Sequence, residues 1–153
     1  MKNHKTNLRF FFIFIAAIVI QSCARELDEA IPETYVNVNM SLSHYNLGIN
    51  QSVVLTNTMV NVSSLGYDNN GIILFRYSQD EFYAYDCTCP YHVEESISVE
   101  LDVNQMFAKC PVCNSKYQLY YYGIPTDAGP SRNPLKQYKV YYNPNTFEII
   151  ISN

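Results

Sequence analysis

Cys87-Thr88-Cys89 and Cys110-Pro111-Val112-Cys113 place four thiols in two tight pairs, in a chain that otherwise reads as β-strands. His92 lies three residues past Cys89. Two short thiol-bearing loops, a hairpin's worth of chain apart, can close on one metal ion or one iron–sulfur cluster. Closing a loop of two or three residues costs little entropy compared with gathering scattered ligands. A fold that uses these cysteines together has to set the two loops side by side. No Ser-His-Asp order, Gly-rich phosphate loop or paired-carboxylate motif offers a competing site.

The chain around the loops alternates with period two. Val36, Val38 and Met40 alternate with Asn37 and Asn39, the pattern of a half-buried strand. Residues 52–62 are rich in β-branched side chains, and an apolar strand over 72–77 is introduced by the turn Asn69-Asn70-Gly71. Alternation returns over 81–86, and Ile97, Val99 and Leu101 line one face of the next strand. Strands are also predicted over 116–122, 137–142 and 147–151, with Asn143-Pro144-Asn145 turning between the last two. About eight short strands, with no amphipathic helix pattern after Cys23, predict an all-β antiparallel sandwich or barrel. The 14 tyrosines fit that class, because tyrosine covers sheet surfaces well, and Trp is absent.

The first residues have a separate logic. Lys2, Lys5 and Arg9 precede an unbroken apolar run over 10–20. Eleven residues is too short to span a bilayer, which takes about 20, but it suits the core of a signal peptide. Ile20-Gln21-Ser22-Cys23 follows and resembles a bacterial lipobox, so residues 1–22 are expected to be a lipoprotein signal peptide and Cys23 the lipidated first residue. Residues 23–33 read as a charged tether and 34–153 as the β domain. The implied partner is a membrane, reached through the lipid anchor, and the implied location is periplasmic or cell-surface facing. Residues 1–22 hold three of the 10 basic residues and none of the 14 acidic ones, so the remainder has a formal charge of −7. An acidic domain without a basic stretch does not attract nucleic acid.

Three chemistries suit the four remaining cysteines. Disulfides are the structural option in an oxidising compartment, and four cysteines allow three pairings. Zinc is the second, since Cys110-Pro111-Val112-Cys113 has the shape of a zinc knuckle and Cys89-Pro90-Tyr91-His92 repeats it with His92 as a ligand. An iron–sulfur cluster held by thiolates is the third. Haem attachment does not fit, because Asn114 and not histidine follows the Cys-x-x-Cys pair.

The neighbours of the cysteines carry a resemblance. Strands over 71–75 and 81–86 lead into the first cysteine loop, followed by Cys110-Pro111-Val112-Cys113-Asn114-Ser115-Lys116-Tyr117, then Gly129-Pro130, then Pro134-Leu135. This order resembles the Rieske 2Fe–2S domain over roughly 71–153. In that family a Cys-x-His box precedes a Cys-Pro-x-His-Gly-Ser-x-Phe/Tyr box, a Gly-Pro loop and a Pro-Leu strand entry. The departures fall on the ligands: Cys113 stands where the second box has histidine. In the first box, either Cys89 is the family's cysteine and Tyr91 replaces its histidine, or Cys87-Thr88-Cys89 is the box and Cys89 replaces it.

The resemblance implies a Rieske-like β-sandwich or barrel with a small two-loop metal-binding subdomain, its loops at 87–92 and 110–117. The implied cofactor is a 2Fe–2S cluster held by Cys89, Cys110 and Cys113, with Cys87 as fourth ligand or His92 in its place. Zn²⁺, or disulfides with no cofactor, are the alternatives at the same residues. Ser115, Tyr117, Gly129 and Pro130 match positions around the family's cluster. The expected activity is electron transfer with a redox partner protein, and the competing reading is a structural or interaction lipoprotein. A stand-alone catalyst is disfavoured, since oxygenases need a further iron domain that 153 residues leave no room for.

Overall fold

Alternating apolar residues become antiparallel strands in the computed structural model, which describes residues 30–153. The expected signal segment, the lipobox-like pattern and Cys23 lie outside the described residues. In chain order the elements are β1 (Asn37–Ser41), β2 (Gln51–Leu55), a one-turn helix α1 (Asn57–Val60), β3 (Ile72–Arg76) and β4 (Phe82–Asp86). Then come β5 (Glu100–Leu101), β6 (Phe107–Lys109), β7 (Lys116–Gln118), β8 (Ile124–Pro125), β9 (Gln137–Asn143) and β10 (Glu148–Ser152). Six strands form one antiparallel sheet in the order β1-β10-β9-β4-β3-β2, and four form a smaller one, β5-β6-β7-β8. The fold is all-β, as the period-two pattern predicts.

The larger sheet is zipped by two hairpins, β3–β4 and β9–β10, joined where Ala84 pairs with Tyr138 and Tyr85 with Gln137. Its inward face gathers Val38, Met40, Leu55, Ile72, Leu74, Ala84, Ile149 and Ile151 into a buried core. Each fully buried Leu or Ile contributes roughly 1.5–3 kcal/mol of transfer free energy, so this core supplies a rigid base. A second core lies between the sheets, where Ile73, Phe75 and Tyr85 of the large sheet meet Ala108, Tyr117 and Leu119 of the small one. Cys87, Cys89 and Cys110 belong to this second core. β3 can serve both cores because its first four residues are fully buried, the even-numbered side facing one and the odd-numbered side the other.

Three predicted strands are shorter than their apolar patterns. The strand predicted over 52–62 ends at Leu55, because the chain turns into α1 and leaves it through Asn61 at φ 55°. The one predicted over 116–122 ends at Gln118, because Tyr122 and Gly123 both take positive φ in a turn. Ile97 and Val99 precede a two-residue β5, in a loop held by single bonds from Cys89 N–H to the Ile97 carbonyl and from Val99 N–H to the Cys87 carbonyl. Packing also begins before residue 34. Ile31 is buried, and Lys136 Nζ donates to the Ile31 carbonyl and to Glu33 Oε1.

Candidate metal centre

Topology brings the cysteine loops together. β4 runs into the first loop, which returns through Ile97–Val99 into β5. β5 pairs antiparallel with β6, so Glu100, just after the first loop, stands opposite Lys109, just before Cys110. The β6–β7 hairpin closes on the second loop, with Lys109 opposite Lys116. Both loops therefore leave the small sheet at the same end.

The second loop is a local structure. Cys110 N–H donates to the Ser115 carbonyl and Asn114 N–H to the Cys110 carbonyl, which wraps Pro111–Cys113 into a turn. Asn114 completes it at φ 62°, a conformation asparagine tolerates better than most residues. Cys110 and Cys113, three apart across that turn, then face the same side. Gly129, at φ 79°, lies against this loop so closely that a Cβ there would overlap the Ser115 backbone and Oγ. Ser131 N–H donates to Ser115 Oγ at 3.0 Å. Ser115, Tyr117 and Gly129 thus surround the loop, while Pro130 is exposed beside it.

The thiols of Cys89, Cys110 and Cys113 converge, their sulfurs all within 4.8 Å of one another. Cys89 Sγ is 3.8 Å from Cys113 Sγ and 3.3 Å from the Tyr117 hydroxyl. Cys113 Sγ donates to Ser115 Oγ at 3.2 Å. Cys89 and Cys110 are fully buried, whereas Cys113 is partly open to solvent; Tyr91 in the first loop and Val112 in the second are exposed. Burial pushes the Cys89 thiol up to about 12, against the opposing pull of the Tyr117 hydroxyl and the Tyr91 amide. Burial also raises the Cys113 thiol, but the Ser115 hydroxyl and amide and the two neighbouring thiols outweigh it, leaving Cys113 below its ordinary value. Burial, then the hydrogen bond with Cys89, drives Tyr117 far upward, so it stays a neutral donor.

Cys87 and His92 stand outside the three-thiol group. Cys87 is buried, its N–H bonded to the Gly71 carbonyl and its carbonyl to Val99 N–H. Burial, with the Asp86 charge behind it, pushes its thiol far up. His92 sits half-buried on the same loop as Cys89, its N–H on the Cys89 carbonyl. Its Nδ1 lies 3.5 Å from Glu95 and its ring edge-on to Tyr91.

A feature absent from the sequence reading lies just behind the first loop. Asp86 is fully buried and receives the N–H of Tyr67 at 2.6 Å, the hydroxyl of Tyr138 at 2.6 Å and the N–H of Thr88 at 2.8 Å.

Three thiols in a mostly buried recess suit a soft or borderline metal or an iron–sulfur cluster. Hard cations are disfavoured, because no carboxylate joins the group. No protein-family model matches the chain, and no curated protein matches it. Solved structures do. One is the ferredoxin of carbazole 1,9a-dioxygenase from Nocardioides aromaticivorans IC177, 20% identical, covering 78% of this chain and 98% of that one with a TM-score of 0.47. Another is a chain from the complex of reduced oxygenase and oxidized ferredoxin in carbazole 1,9a-dioxygenase, 18% identical, covering 79% and 94%, with a TM-score of 0.48. Likeness at this level says nothing about the thiols, whose chemistry has to come from their own surroundings.

Proposed function

We propose that this chain is a Rieske-like electron-transfer module, carried at a membrane by a lipidated Cys23, whose centre is a 2Fe–2S cluster. The observation behind this reading is the convergence of Cys89, Cys110 and Cys113 from two separate loops to within 4.8 Å, inside the cysteine boxes that resemble the Rieske pattern. Such a cluster, when bound, takes up and returns one electron.

The protein's residues have distinct parts in this. Cys89, Cys110 and Cys113 supply thiolates. The fourth donor is His92: Cys87 is fully buried in the core and outside the three-thiol group, while the His92 side chain is partly exposed on the loop that carries Cys89, where it meets Glu95 and Tyr91. Tyr117 stands at Cys89 Sγ with a hydroxyl to donate, which stabilises added negative charge on that sulfur. Ser115 Oγ already accepts from Ser131, so its own proton is free to turn toward Cys113 once that thiol is ionised. Cys113 is the partly open thiol, and each cysteine loop carries an exposed apolar or aromatic residue, Tyr91 and Val112, which makes this end the approach for a redox partner. The anchor rests on the Ile20-Gln21-Ser22-Cys23 pattern; among the described residues no helix is long and apolar enough to cross a membrane.

Anaerobic purification followed by visible absorption and metal analysis tests the reading. Two irons and two sulfides per chain with charge-transfer bands are expected, and one zinc without iron overturns it. A second reading has its own observation: sulfurs 3.8 Å apart need only a small movement to reach the ~2.05 Å of a disulfide, so Cys89 and Cys113 also suit a structural, non-redox role. The same sample decides, because that reading requires either zinc or two fewer free thiols.

A further inference from the structure

Asp86 ends β4 one residue before the first cysteine pair, and its surroundings are built around its charge. Oδ2 accepts from Tyr67 N–H and the Tyr138 hydroxyl, Oδ1 from Thr88 N–H, and neither oxygen donates. Three donors and no acceptor is the hydrogen bonding of a carboxylate. Gly66, at φ 75°, is where the chain passes the site, and a Cβ there would overlap the Gly71 carbonyl and press on Asp86 Oδ2. Among the described residues Asp86 has neutral donors and no ion pair. Burying a charge without a counter-charge is costly, so donors alone do not explain why an acid stands here.

The carboxylate reaches the thiol centre through Thr88. Thr88 is fully buried; Asp86 holds its N–H, Asn70 Nδ2 donates to its Oγ1 at 2.9 Å, and its backbone bridges to Ser98. Cys89 follows directly, so the course of the chain into the centre is set by the grip on Thr88.

We propose that Asp86 is a positioning residue of the thiol centre, which fixes the approach of Cys89 through Thr88 and whose buried charge strengthens the hold on a cation there. The inference rests on the reading that the three thiols bind a metal, though not on the metal being iron. It predicts opposite effects from two substitutions. Asp86→Asn removes the charge. Tyr138→Phe keeps the charge and removes one of the donors that neutralise it.

The probe is cadmium titrated into the reduced, metal-free protein and followed by thiolate-to-cadmium absorption. Asp86→Asn should bind Cd²⁺ about tenfold more weakly, the size expected from one buried charge within roughly 10 Å at intermediate dielectric. Tyr138→Phe should bind it as tightly as wild type or about twofold more tightly. In iron-loaded protein the midpoint potential should rise in Asp86→Asn and fall in Tyr138→Phe, since a negative charge opposes reduction. A purely architectural Asp86 predicts weaker binding in both variants, and that result, or wild-type affinity in Asp86→Asn, overturns the proposal. If Asp86→Asn does not fold, Tyr138→Phe decides alone, with weakened cadmium binding counting against. If wild type takes up cadmium but never an iron–sulfur cluster, the electron-transfer reading fails while the Asp86 comparison still stands. Wild type that takes up no cadmium overturns the Asp86 proposal itself.

Discussion

The two cysteine pairs look alike in sequence and behave differently in the fold. The second, Cys110 and Cys113, sits in a turn closed by its own hydrogen bonds, and both sulfurs reach the centre. The first, Cys87 and Cys89, straddles the point where β4 leaves its sheet; Cys89 reaches the centre and Cys87 stays outside that group. Spacing decides the outcome where the structure is local. Where the chain runs between two sheets, distant bonds decide it, here those of Cys87 with Gly71 and Val99.

The largest expected effect breaks the comparison at its centre. Serine at Cys89, Cys110 or Cys113 should abolish metal retention, a loss beyond the roughly 10–100-fold seen when only a ligand's hydrogen-bonding partner is removed. Serine at Cys87 should leave metal content intact but lower stability by about 1–3 kcal/mol, the cost of an unpaired buried hydroxyl. Metal analysis and urea unfolding of the four variants separate the two classes. Metal loss in Cys87→Ser alone would reverse the assignment.

A smaller effect tests how the second loop is supported. Gly129→Ala forces a Cβ into Ser115 at a positive φ and should destabilise the protein by roughly 1–3 kcal/mol, read as a lowered unfolding midpoint. Because Ser115 lies two residues from Cys113, the same variant should also release metal faster. An alanine of unchanged stability would mean that the Gly-Pro loop is not clamped on the cysteine turn.

The smallest effect at ordinary pH comes from the cores on either side. Burial, then the charge of Tyr83, raises the Tyr85 hydroxyl, and burial, then the Asp86 charge, raises that of Tyr138. Phenols raised in the folded state contribute stability that is fully present below the unfolded value of about 10 and is lost as pH climbs through the folded values. Stability should begin to decline near pH 9, where the raised Cys87 thiol starts to count, and fall more steeply above about 10, with tyrosinate absorption appearing alongside unfolding. Tyr138→Phe should blunt that decline.

Much of this architecture was legible because it is local. The alternation over 36–40 and 81–86 marks β1 and β4, the strand predicted over 137–142 is β9, and Asn69-Asn70-Gly71 marks the turn before β3. β6 and β8 escaped: three and two residues are too few for a periodic signal, and Pro125 weakens the second further. At the site, the Cys110 turn and its Ser115 and Tyr117 neighbours were readable from spacing and resemblance. The resemblance also put Cys89 at the centre, but whether Cys87 joins it was not readable, since strand geometry alone places residues i and i+2 on one face. The Asp86 network was invisible for the same reason. Its partners Tyr67 and Tyr138 lie 19 and 52 residues away, and a lone aspartate at a strand end has no pattern.

A redox titration of the anaerobically purified protein at several pH values tests the central claim, a thiolate-rich cluster with a single histidine, most directly. Thiolates in place of histidine add negative charge and resist reduction, so the midpoint should fall between about −400 mV, as in plant-type ferredoxins, and about −150 mV, the lower edge of the Rieske range. His92→Ala, which removes one ligand, should lose the cluster or move this midpoint. A midpoint near or above zero that falls steeply over two ionisations, or protein with one zinc and no iron, would contradict the account.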